Sequence, residues 1–160
     1  MPDVNPSIDF SKLTPIEFMF GKDFEETQQL AALFEEAELY LSSFAWCRGV
    51  RKAYFGLGVS DFIGIFLFEL MPSEDSRDRF LWVVAGDVPP AYLAAESYPN
   101  SAFALQGYIQ RMKSELASAD CNAAQQRELM RRIMLLDSEV LPFKAGIADQ
   151  VWLHFRPQAS

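Results

Sequence analysis

The sequence predicts an α+β domain: an antiparallel meander sheet of three to four strands, packed with an N-terminal helix and two to three C-terminal helices. Three observations carry that expectation. Strand-like segments follow one another between residues 48 and 85, while helix-like segments are grouped before and after them. That grouping belongs to α+β chains and not to alternating βαβ units. The segments FIGIFLFEL and FLWVVA are apolar at successive positions, hence on both faces of a strand. The connector between them, MPSEDSRDR, is short and polar, which suits a hairpin and antiparallel neighbours.

Taken in chain order, the first twenty residues read as an irregular arm, with Pro2, Pro6 and Pro15 among polar neighbours. A helix begins at Asp23, which forms a capping-box start with Glu26 three residues later. Acids at that end also meet the positive pole of the helix dipole. Leu30, Leu33, Phe34, Ala37, Leu41 and Phe44 recur at three- and four-residue spacing, so one face of this helix is expected to be buried. Gln28, Glu35 and Leu39 fall on the other face. A leucine is out of place on a purely solvated acidic surface. Either a second element covers Leu39, the commoner case, or it belongs to a partner-binding patch ringed by Glu35 and Glu36.

Lys52 to Leu57 reads as the first strand, and GLGVSD after it as a turn that uses Gly56 and Gly58. In the next strand, Ile63, Ile65 and Leu67 oppose Phe62, Phe66, Phe68 and Leu70, which marks a central, covered strand. Phe80 to Ala85 is its expected antiparallel neighbour. PAYLAAE reads as a short helix with Pro90 in its first turn. Asn100 or Ser101 can cap a longer helix with the stripe Leu105, Tyr108, Ile109, Met112 and Leu116, in which Gly107 costs about 1 kcal/mol relative to alanine. A third helix starts near Asn122, buries Leu129, Ile133 and Leu136, and carries Arg127, Arg131 and Arg132 outside, with Glu128 placed to pair with Arg132. The tail QVWLHF alternates like a final edge strand or a docked extended segment. Residues 1–160 are expected to form a single domain, with 1–20 as the arm. A sheet apolar on both faces needs helices on each side or a second subunit, so a homodimer is among the expectations.

Composition narrows the function classes. Half of the 160 residues are hydrophobic and 14% are aromatic, enough for a packed core. The longest apolar run is bounded by Asp61 and interrupted by Glu69, well short of the ~20 residues a membrane span needs. The start MPDVNPSIDFSKL has neither a basic region nor an apolar stretch of the secretory kind. Cys47 and Cys121 share no metal-type spacing and make no disulfide framework. The expected location is therefore the cytoplasm, with no membrane association. Charge is the most informative quantity. Residues 1–45 hold nine carboxylates and two lysines, a net −7 out of the chain's −8. Such a field repels nucleic-acid phosphate and favours encounter with a basic partner, although solubility alone is the commoner explanation of an acidic surface.

Candidate chemistry is sparse. Asp87 follows an apolar run and Gly86 in WVVAGDVPPAY, where strand ends meet loops and functional groups are often displayed. Aspartate is also a favoured residue for turning a chain before Pro-Pro, and this reading of Asp87 is preferred. In WCRG, Arg48 could push the Cys47 thiol toward thiolate. A cysteine beside Trp46 and Phe44 is more simply a small apolar residue. His154, the single histidine, reads as a sheet-surface residue. Glu74, Asp75 and Asp78 do not match the calcium-loop spacing, GLG lacks the lysine and helix of a phosphate loop, and GxSxG is absent. No catalytic residue, metal ligand or cofactor is assigned. The arginines of the third helix are too few and too well paired to suggest nucleic-acid binding.

The segments LYLSSFAWC, FIGIFLFEL and WVVAGDVPPAYL together resemble small bacterial proteins of uncharacterised function that share a Trp-Val-Val-x-Gly-Asp-x-Pro-Pro type segment. The resemblance covers the middle half of the chain. It implies no reaction and supplies no catalytic residue.

Two function classes follow. The favoured one is an acidic interaction protein of the inhibitor, immunity or adaptor type, which engages a basic partner through Glu35, Glu36 and Leu39. The alternative is a small-ligand binder or enzyme with a pocket at the strand ends, using Asp87, Tyr92, Arg48 and Cys47.

Overall fold

The sheet of the computed structural model is an antiparallel meander in the order β1-β2-β3-β4-β5, formed by Thr14–Pro15, Val50–Val59, Ile63–Leu70, Phe80–Gly86 and Ala91–Ala94. The structure describes residues 8–59, 61–72, 79–118 and 123–142. The helices are α1 (Phe24–Ser42), α2 (Ser101–Ser118) and α3 (Ala123–Leu135). The fold is thus the α+β arrangement that the grouping of patterns predicts. The chain divides into two compact units, Met1–Ala104 and Leu105–Ser160.

In the first unit β3 is the central strand, and every residue in it except Glu69 is buried. Its register with β4 pairs Phe66 with Val83, Leu67 with Trp82 and Phe68 with Leu81. The face carrying Phe66 and Phe68 takes α1: the Phe34 ring meets Phe66 edge-on at 5.5 Å and stacks on Phe68 at 5.6 Å. Leu30, Leu33, Ala37 and Leu41 of α1 are buried, as the helical spacing predicts. On the other face, fully buried Trp82 donates its indole Nε1–H to the Tyr98 carbonyl at 2.8 Å. This contact satisfies the one polar atom of a large apolar side chain.

The arm is docked from Ile8 onward. Asp9 donates its N–H to the Pro99 carbonyl, and the Phe10 ring packs edge-on against Tyr54 at 5.5 Å and Phe80 at 5.6 Å. β1 then pairs with Phe55 and Tyr54 of β2. It is a two-residue edge, where Pro15 costs the sheet no interior hydrogen bond.

Three local expectations are corrected. PAYLAAE does not form a helix: Ala91–Ala94 pairs with β4 as β5, and a single 3-10 turn follows over Ala95–Ser97. Burial alternates along β5, with Ala91 and Leu93 buried, so strand pairing on an open sheet edge overrides the helix propensity of alanine and leucine. Gly56 and Gly58 lie inside β2, and the reversal comes after Val59. Gly56 sits at a shift in register, where an added Cβ would stand 2.9 Å from the Ile65 carbonyl oxygen. Close backbone approach, not a turn, demands that glycine. With β1 and β5 as short edges, the sheet has five strands where three to four were expected.

Helix starts are more legible. Asp23 accepts from the Glu26 N–H at 2.8 Å, as the capping reading requires. Glu26 reaches back one residue further than in a standard capping box, accepting from the Lys22 N–H at 2.7 Å. Asn100 caps α2 by accepting from the Phe103 N–H at 3.0 Å.

In the second unit Leu105, Tyr108, Ile109, Met112 and Leu116 are buried, as are Ile133 and Leu136, while Leu129 is half-exposed. Glu128 pairs with Arg132 at 3.2 Å and, more closely, with Arg131 at 2.6 Å. The Arg131 hydrogen bond is the main reason its carboxyl lies below the ordinary range; slight burial opposes this, and the charges of Arg131 and Arg132 add to it. Beyond α3 the helix continues through a π turn at Leu136–Val140, where Lys113 bonds to Asp137. Asn122, Cys121, His154, the QVWLHF tail and the Glu74, Asp75 and Asp78 loop lie outside the described residues.

Candidate functional site

The outer face of α1 follows from its sequence, FEETQQLAALFEEAELYLS, which holds five glutamates and no lysine, arginine or histidine. At about 100° per residue, Glu25, Gln28, Ala32, Glu35 and Glu36 all project within roughly 60° of the direction of Leu39. Leu30, Ala37 and Leu41 point the opposite way, into the core. Burying that apolar stripe against Phe66 and Phe68 therefore forces the carboxylates outward. Glu35, Glu36 and Glu38 are exposed, and among the described residues none of them pairs with a cation.

Leu39 is 72% exposed in the midst of these acids. No described element covers it, so the commoner of the two expectations for this residue fails within the described structure. At the other end of the same face Phe24 is 76% exposed, and just before it Phe18 and Phe20 are 65% and 74% exposed. Among the described residues eight large apolar side chains are substantially exposed, and four of them lie between Phe18 and Leu39. Exposed apolar groups that share a surface mark interaction sites more often than scattered ones do, and Phe24 and Leu39 share one face of α1.

The three phenylalanines were missed from the sequence. The signal was present in IEFMFGKDF, where Phe18, Phe20 and Phe24 match no position in the buried stripe of α1. Phe24 opens α1 itself, and the segment after Phe20 is fixed to the first helical turn: the Gly21 N–H donates to Thr27 Oγ1 at 2.8 Å, and the Lys22 N–H to Glu26.

The residues of the alternative pocket lie apart. Asp87 is exposed, and its N–H donates to the Phe62 carbonyl at 2.7 Å, beside the β2–β3 turn. Gly86 before it has φ +131°, and an added Cβ there would overlap the Phe62 carbonyl oxygen. Cys47 and exposed Arg48 precede Gly49, whose carbonyl accepts from the Met71 N–H at the other end of β3. The ~25 Å length of that strand separates the two loops. Tyr92 belongs to an aromatic cluster, with its ring 5.1 Å from Phe44 and 5.3 Å from Trp46. This brings Tyr92 to the residue next to Cys47 and leaves Asp87 outside the group. The Cys47 N–H donates to the Phe44 carbonyl at 3.0 Å, and the thiol is half-buried.

Among the described residues no group of three His, Cys, Asp or Glu side chains could hold a metal ion, and no helix is long and apolar enough to cross a membrane. Comparison with family models, curated proteins and solved structures finds no match to this chain. The face of α1 must therefore be interpreted from its own chemistry.

Proposed function

We propose that this protein is an acidic interaction module, of the inhibitor, immunity or adaptor type, which docks a basic protein on the outer face of α1 in the cytoplasm. The observation that carries the reading is Leu39: a large apolar side chain, 72% exposed, on a helix whose five charged residues are all carboxylates. Solubility alone gives no use for exposed apolar side chains at both ends, Phe24 and Leu39, of one acidic helix face. An interface does, because apolar contact supplies affinity while surrounding charge supplies steering and partner choice. The concentration of −7 in residues 1–45 extends the same field across the arm.

The test uses a fluorescently labelled 18-residue peptide of lysine and leucine in helical register as a surrogate basic partner. Glu35→Lys combined with Glu36→Lys is expected to weaken binding by about tenfold or more and to flatten its salt dependence. Both side chains are exposed, so folding is expected to be unaffected. Equal affinity in the wild type and the double variant, with no response to salt, would overturn the reading.

A further inference from the structure

We infer that the basic partner presents an amphipathic helix of about four turns, laid along α1 between two apolar anchors, Phe24 at one end and Leu39 at the other. This rests on the docking function proposed above and names the shape of what docks. The two anchors are fifteen residues apart in the sequence, hence about 22 Å along the axis and within roughly 60° of one direction. Both are more than seven-tenths exposed. Between them the face narrows to Ala32, itself exposed, with Glu25, Glu35 and Glu36 at its margins. A small residue at the centre lets a second helix approach to the ~8–10 Å usual for packed helices, while the large anchors grip its ends.

An extended peptide would meet only one row of this surface. A helix with apolar residues on one side and lysine or arginine on its flanks meets both the anchors and the carboxylates. A second copy of this chain is a poor occupant: two such faces laid together bring Glu25, Glu35 and Glu36 of each copy against one another with no cation in either helix.

The experiment compares two 18-residue probes of identical lysine and leucine content, one in helical register and one scrambled so that no apolar face forms. Binding is measured by fluorescence anisotropy with the full chain and with its Phe24→Ser and Leu39→Ser variants. The helical probe is expected to bind about tenfold more tightly than the scrambled one, and each variant to lose about five- to tenfold toward the helical probe alone. If both probes bind equally and neither variant matters, charge alone governs: the helix inference is overturned and the docking function stands. If neither probe binds at low salt, the docking function falls with it. Sedimentation is run in parallel. A wild-type dimer that Phe24→Ser and Leu39→Ser convert to monomer would overturn the inference by making a second copy the occupant.

Discussion

Gly86→Ala is expected to destabilise the protein by about 3 kcal/mol, through a backbone strain term and an overlap term of similar size. Gly86 adopts φ +131°, where an L side chain is strained, and its α-carbon sits so close to the Phe62 carbonyl that a methyl group has no room. The overlapping atoms are backbone, so no rotamer change relieves them. In urea unfolding the midpoint should fall with little change in slope, and the melting temperature should drop by roughly 6–12 °C for a chain of this size. Asp87→Asn supplies the contrast. The substitution keeps the size of an exposed side chain, an acceptor oxygen and the N–H bond to Phe62, so its effect should be well below that of Gly86→Ala, under about 1 kcal/mol. A wild-type midpoint for Gly86→Ala, or a large loss for Asp87→Asn, would show that the β4–β5 loop is held differently.

Trp82→Ala is expected to have the largest effect of any single change, about 3–5 kcal/mol, because it empties the space of a fully buried side chain in a central strand. Trp82→Phe separates two contributions. It leaves a smaller cavity but also removes the donor to the Tyr98 carbonyl, so a loss of about 2 kcal/mol is expected, much of it from the unpaired acceptor. Calorimetric or urea unfolding measures both. A loss below 1 kcal/mol for Trp82→Phe would mean that Tyr98 finds another donor.

Much of this architecture was legible in the sequence because burial writes itself into period and polarity. β3 and β4 could be placed because they are apolar on both faces, and α1 because its stripe repeats every three or four residues behind an aspartate cap. The chain reversal at Asp87 was legible, since Gly86 before it and Pro89 and Pro90 after it already demand one. β5 was not legible. Its four residues carry helix-favouring alanine and leucine, and it is pairing with β4, a few residues earlier in the chain, that makes them a strand. Gly56 was misread for a related reason: the close approach of β3 that requires it lies nine residues away in sequence. The candidate site divides along the same line. The exposure of Leu39 was legible because a leucine interrupts the polar face of its own helix, where Glu35 and Glu36 also lie. The phenylalanines at 18, 20 and 24 left only a weaker signal, their absence from the buried stripe of α1, and the folded chain shows that all three are exposed.

The most direct test of the docking surface is to titrate isotope-labelled protein with the helical lysine–leucine peptide and follow the backbone amide resonances. The predicted result is a set of shifts confined to one face of α1, strongest at Glu25, Gln28, Ala32, Glu35, Glu36 and Leu39. Shifts centred instead on Arg48, Tyr92 or Asp87, or none at all, would contradict it.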